Sequence, residues 1–162
     1  MPEVICNTSP LQYLHQIGQL SILSVLAGHI IVPPAVLSEL SEGRSRGVDV
    51  PNIEGLRWVT VRTPVSAPAT SLIADLGPGE AQVLMLALEI PGAIVVLDDA
   101  RARRVAETRH IPLIGTLGLL LGAKRAGLIS AVKPCLDQLQ LLRFRLAAQT
   151  QAAVLKLAGE LD

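Results

Sequence analysis

Aromatic residues are nearly absent: one Trp, one Tyr and one Phe account for 2% of the chain. That scarcity excludes a nucleic-acid module that stacks bases on an aromatic sheet face, so contact with nucleic acid is expected to be electrostatic. Charged residues are also few, at 17%, and no Lys or Arg precedes Arg44. The basic front of a secretory signal is therefore missing. The uncharged stretch from Val4 to Ser38 is broken by Asn7, Pro10, several Gln and Pro33-Pro34, too interrupted to span a membrane. Cysteine occurs only at Cys6 and Cys135, and with His15, His29 and His110 it forms no C-x-x-C or H-x-x-x-H spacing, which argues against zinc. Two isolated thiols suit a reducing compartment, and the expectation is a soluble, cytoplasmic protein with no membrane partner. Repeats and low-complexity segments are absent as well.

What is present is apolar. Half of the 162 residues are hydrophobic and the mean hydropathy is +0.48, ample for the core of one domain over residues 1–162 and incompatible with disorder. Fourteen Lys+Arg balance fourteen Asp+Glu, yet unevenly: residues 1–99 hold ten acids and four bases, and residues 100–162 hold four acids and ten bases. A cation site beside a polyanion site needs such a division, although solvated helix faces produce it too. The excess of apolar surface predicts a homodimer, or a complex with a segment of a partner protein, built partly on the stripe Leu136, Leu139, Leu142.

Along the chain, short apolar β-type runs alternate with helical patterns. Glu3–Cys6 stops at Asn7-Thr-Ser-Pro10, which opens a helix with Leu11, Leu14, Ile17 and Leu20 at helical spacing. His29–Val32 is followed by a helix begun by Pro33-Pro34, with Val36, Leu37 and Leu40 on one side. From Glu42 to Pro68 the pattern weakens, apart from a strand at Leu56–Val61. Leu76-Gly-Pro-Gly79 precedes a helix from Glu80, and Ile94–Leu97 reads as a strand covered on both faces. An arginine-rich helix, an apolar run at Ile111–Ile114 and a helix from Thr116 to Ala126 follow; Gly118 and Gly122 in that helix would allow close packing. The remainder reads as one or two helices with Leu136, Leu139, Leu142, Leu146, Val154 and Leu157 facing inward. This alternation predicts a parallel sheet with helices on both faces.

In such a sheet the loops after the strands' carboxyl ends line the functional crevice. Asn7 follows the first strand and Asp98 and Asp99 the fourth, Glu39 lies one and a half turns into the helix after the second, and Glu80 begins a helix after a Gly-Pro-Gly turn, so four segments can converge on one cleft. Converging carboxylates repel one another, and a hard divalent cation bound through oxygen offsets this most simply. A phosphodiester substrate would complete its coordination.

Five blocks in order, Val4-Ile-Cys-Asn-Thr-Ser-Pro-Leu11, Val32-Pro-Pro-Ala-Val-Leu-Ser-Glu-Leu40, Leu76-Gly-Pro-Gly-Glu-Ala81, Val96-Leu-Asp-Asp-Ala-Arg-Ala-Arg-Arg-Val105 and Gly115-Thr-Leu-Gly-Leu-Leu-Leu-Gly-Ala-Lys-Arg-Ala-Gly-Leu128, resemble a PIN-domain subfamily of uncharacterised function. The likeness runs from Val4 to about Leu142. It implies a three-layer α/β/α sandwich around a mainly parallel sheet and a ribonuclease site using Mg2+ or Mn2+. It also implies frequent occurrence as the toxin of a toxin–antitoxin pair, with RNA and an antitoxin protein as partners.

Carried over by position, the resemblance implies catalytic and metal-binding roles for Glu39, Glu80, Asp98 and Asp99. Asn7 stands at the first acidic position as a neutral ligand. Thr8, Ser9, Arg101, Arg104 and Thr116 fall where substrate contacts are implied. Each has a plainer role to set beside this. One of Asp98 and Asp99 should cap the next helix, with Asp99 preferred for the metal. Glu80 suits a helix N-terminus, Thr8 and Ser9 could cap the first helix, and the arginines could line a solvated face. Asn7 costs the site one charge and should weaken its hold on the ion.

Overall fold

Short β-branched runs make the sheet. The computed structural model describes residues 2–66 and 71–161; the last two residues of the weak stretch 42–68 lie outside them. The strands are β1 (Val4–Cys6), β2 (Ile30–Val32), β3 (Val59–Val61), β4 (Ile94–Val96) and β5 (Leu113–Ile114), all parallel, in the order β3-β2-β1-β4-β5. Valine and isoleucine suit a pleated surface covered on both faces, and Ile5, Ile30, Val32, Val95 and Val96 are fully buried. Only the edge strand β3 carries an exposed polar residue, Thr60.

Nine helices occur among the described residues: α1 (Thr8–Gln16), α2 (Ser21–Ala27), α3 (Pro34–Ser45), α4 (Ser71–Ala74), α5 (Pro78–Glu89), α6 (Ala100–Thr108), α7 (Thr116–Arg125), α8 (Lys133–Leu141) and α9 (Ala148–Leu157). Proline opens α3 and α5 at a first-turn position where its missing N–H costs nothing. α1, α2 and α7 pack together, as do α4, α5 and α6. With the sheet between, the fold is the expected three-layer α/β/α sandwich. α3 touches both α1 and α5, so residues on its inner face lie at the seam between two helix starts. No helix among the described residues is long and apolar enough to cross a membrane.

Four details differ from the sequence reading. The spacing Leu11, Leu14, Ile17, Leu20 reads as one helix, but the chain turns at Gly18, whose φ of 74° a side chain would resist, and restarts as α2. β3 begins only at Val59; Trp58 lies before it, its carbonyl accepting from Ile30 N–H at 2.8 Å. Gly118 accommodates a strand residue, since a Cβ there would lie 2.7 Å from Ile114 Cγ1, whereas Gly122 meets Leu26 of α2 at ordinary contact distance. At the C-terminus, Leu136 and Leu139 are fully buried core, so two of the three residues expected to face another molecule are inside this one. Leu142 and Leu157, expected inward, are 37% and 64% exposed, and Leu155 takes the inward place in α9.

Candidate active site

The sheet order creates the crevice. From β1 the chain builds outward through β2 and β3, then crosses back to place β4 on β1's other side, with Cys6 opposite Val96. Where a parallel sheet reverses its winding, the loops after the two central strands diverge and leave a cleft at their carboxyl ends. Asn7 leaves β1 at this point and Asp98 leaves β4.

Asn7 is held in extended backbone at the N-cap of α1, its N–H bonded to Val96 O at 3.1 Å. Its side chain does not cap the helix. The residue is 1% exposed and Oδ1 accepts no hydrogen bond. A buried acceptor left this way costs about 1–3 kcal/mol, which marks it as awaiting a donor or a cation.

Glu39 reaches the same spot from α3. Its Oε2 accepts the N–H of Gly79 at 3.0 Å, and its Oε1 accepts the hydroxyl of Thr8. The carboxylate thus joins the first turns of α1 and α5, where helix dipoles favour negative charge. A Cβ on residue 79 would press on Glu39 Oε1 and lie 2.9 Å from Asn7 Oδ1, so glycine is what lets amide oxygen and carboxylate approach one point.

Asp98 lies across the cleft. Its Oδ1 accepts Thr116 N–H at 2.8 Å and its Oδ2 the Thr116 hydroxyl at 2.6 Å. Burial pushes its carboxyl above the usual range, and the Thr116 donors and the Arg103 guanidinium pull against that. Arg103 Nη1 donates to Leu97 O at 3.1 Å, and a Cβ on Gly115 would lie 2.6 Å from that nitrogen and 2.9 Å from Asp98 Oδ1. Burial, and then the charge of Asp98, drive the Cys6 thiol far above its ordinary value, which leaves it protonated and inert.

The two remaining acids lie at helix starts. Asp99 is exposed and caps α6, its Oδ2 accepting Ala102 N–H at 2.9 Å. The cap expected of one member of the pair is thus supplied by Asp99, the residue preferred for the metal. Glu80 folds back over its own helix start, where a Cβ on Gly77 would lie 2.6 Å from Oε2. Accordingly, no group of three or more His, Cys, Asp or Glu among the described residues is disposed to hold a metal ion. Thr116, expected to touch substrate, is fully buried and gives both its donors to Asp98. Ser9 is half-buried in the first turn of α1, while Arg101 and Arg104 are exposed and line a shallow cavity of about 260 Å³ with Asp75.

Two clusters result, one of Asn7, Thr8, Glu39 and Gly79 after β1 and one of Asp98, Thr116, Gly115 and Arg103 after β4. Gly79, Gly115 and Arg103 escape a sequence reading. Gly-Pro-Gly signals only a turn, and nothing separates Arg103 from its neighbouring arginines until Leu97 O fixes it. The donors facing the cleft are all oxygens, with no thiolate or imidazole among those named. Such a set fits magnesium, which keeps several waters and takes one or two carboxylates, and does not fit zinc.

A protein-family model described as DUF3368, PIN domain, matches residues 3–160. No curated protein and no solved structure matches the chain.

Proposed function

Because this chain belongs to the PIN-domain family, whose members are generally nucleases that use divalent metal ions, we propose that it is a Mg2+- or Mn2+-dependent endoribonuclease working between the ends of β1 and β4. The observation that carries the reading is Asn7 Oδ1, buried and unpartnered at the point that Glu39 Oε1 also faces. Asn7, Glu39 and Asp98 would hold the ion, which when bound supplies a nucleophile at neutral pH and offsets charge at phosphorus. Glu80 and Asp99, turned to their helix starts, add negative field from the rim. Thr8 fixes Glu39 and Thr116 fixes Asp98, both as positioning residues. Ser9, Arg101 and Arg104 receive the phosphates flanking the cut bond.

The five sequence blocks support assignment to the uncharacterised subfamily and, through it, a toxin with an antitoxin partner, and the two isolated thiols support a cytoplasmic location. A second reading, a non-catalytic nucleic-acid-binding or partner-binding module, draws on the neutral Asn7 and the lack of a three-acid group among the described residues. Calorimetric titration with Mn2+ and RNA cleavage with and without the ion separate the two. Glu39→Gln and Asp98→Asn should each lower ion-dependent cleavage at least about 100-fold, on the order of 3 kcal/mol, with the fold intact. Wild-type cleavage by both variants would overturn the site, and failure of the wild-type protein to bind the ion would leave the module.

A further inference from the structure

A groove of about 640 Å³ starts at Asp98 and runs between α6, α7 and the segment that carries Phe144 and α9. Its size lies within the ~300–1,000 Å³ of pockets that enclose a small organic group. The floor is apolar: Ile114, Leu117, Leu121 and Phe144 are half-buried along it, and Val154 of α9 closes the far side. Phe144 is pinned by Tyr13, with ring centroids 5.0 Å apart and planes at 90°, so this wall is preformed. The rim is cationic. Beyond Asp98, three guanidinium groups, those of Arg103, Arg104 and Arg145, stand against the single carboxylate of Glu107.

Apolar floor, cationic rim and continuity with Asp98 suit a ligand that joins an apolar group to negative charge. We propose that the groove holds a nucleotide of single-stranded RNA adjoining the phosphate cut at Asp98, its base on the apolar floor and its phosphates on Arg104 and Arg145; this rests on the ribonuclease reading. Leu97 O fixes one Nη of Arg103, so that guanidinium is oriented, while Arg104 and Arg145 are exposed. A duplex keeps its base faces stacked and has none to offer, so the groove selects single strands. The C-terminal segment then becomes part of the substrate site. Its place is held by Glu160, which accepts from Val132 N–H at 2.7 Å, Lys133 N–H at 3.0 Å and Lys124 Nζ at 2.9 Å.

The test is fluorescence anisotropy with a short, labelled, unstructured RNA in EDTA at low salt, where binding is read without cleavage. Arg145→Ser should weaken binding about fivefold and Thr150→Trp, which fills the groove from an exposed position, about tenfold. Arg125→Ser removes an exposed charge from the end of α7 outside the groove and should leave binding unchanged. A duplex of the same sequence should compete poorly. Wild-type binding by both groove variants, equal loss in Arg125→Ser, or equal competition by duplex would overturn the proposal. A protein that binds RNA through the groove yet cleaves none with Mn2+ would refute the ribonuclease reading and spare the groove. One that cleaves normally with the groove filled would do the reverse.

Discussion

At the proposed ion site two features matter most: Asn7 Oδ1, which has no donor, and the absence of a Cβ at Gly79. An aspartate at position 7 would place a second full charge beside Glu39, where little water screens it. In EDTA, Asn7→Asp should therefore melt below wild type, and the order should reverse on adding Mn2+, with ion affinity up about tenfold, or ~1.4 kcal/mol. Since Asn7 makes no capping bond, lost capping cannot mimic this result. Equal calorimetric dissociation constants would remove Asn7 from the site. Gly79→Ala tests the same point from the other side. Alanine normally improves a helix over glycine by up to ~1 kcal/mol, but here its Cβ displaces Glu39 and crowds Asn7. The expected outcome is a melting temperature close to wild type with ion affinity reduced about tenfold or more; unchanged affinity would mean that the carboxylate does not need its place.

Among the elements, α9 depends most on a single side chain. Backbone N–H groups at the start of α8, chiefly that of Val132, together with Lys124, hold the Glu160 carboxyl down to about 2 against an ordinary 4.5. A depressed carboxylate stabilises the fold fully above its unfolded value and loses that contribution as pH falls toward its folded value. Backbone amides of α9 should thus exchange progressively faster between pH 4.5 and about 2 once the intrinsic rate is divided out. In Glu160→Gln that dependence should flatten, with exchange already fast at pH 7; an unchanged profile would place the latch elsewhere. This dependence also explains what the sequence hid. Strand runs and proline-started helices are local and were legible, whereas the inward face of α9 is set by α7 and Lys124, so apolar spacing chose Leu157 where packing chose Leu155. Similarly, the acidic residues at the strand ends were legible by position. Which of them faces the cleft depends on competing donors, Thr116 for Asp98 and Ala102 N–H for Asp99, and no spacing rule reveals that.

For the whole molecule, zero net charge conceals opposite halves, and α6 to α9 lie in the basic one, residues 100–162 with ten bases and four acids. Overall neutrality removes long-range attraction to a polyanion, so the proposed RNA ligand would have to be held by local contacts. The three exposed guanidiniums assigned to phosphates are Arg101, Arg104 and Arg145. Each single-strand phosphate neutralised contributes about −0.7 to the slope of log affinity against log salt, so the expected slope is about −2. Raising salt from about 50 to about 200 mM should then weaken RNA binding about 20-fold. Arg145→Ser should reduce the slope by about 0.7, while Arg125→Ser, equally charged but outside the groove, should leave it alone. Both measurements need only anisotropy in EDTA. A slope near zero would mean that binding is carried by the apolar floor, and a slope much steeper than −2 would mean that the basic half binds RNA as a diffuse surface. Either result would separate the charge asymmetry of the chain from the groove that its fold makes of it.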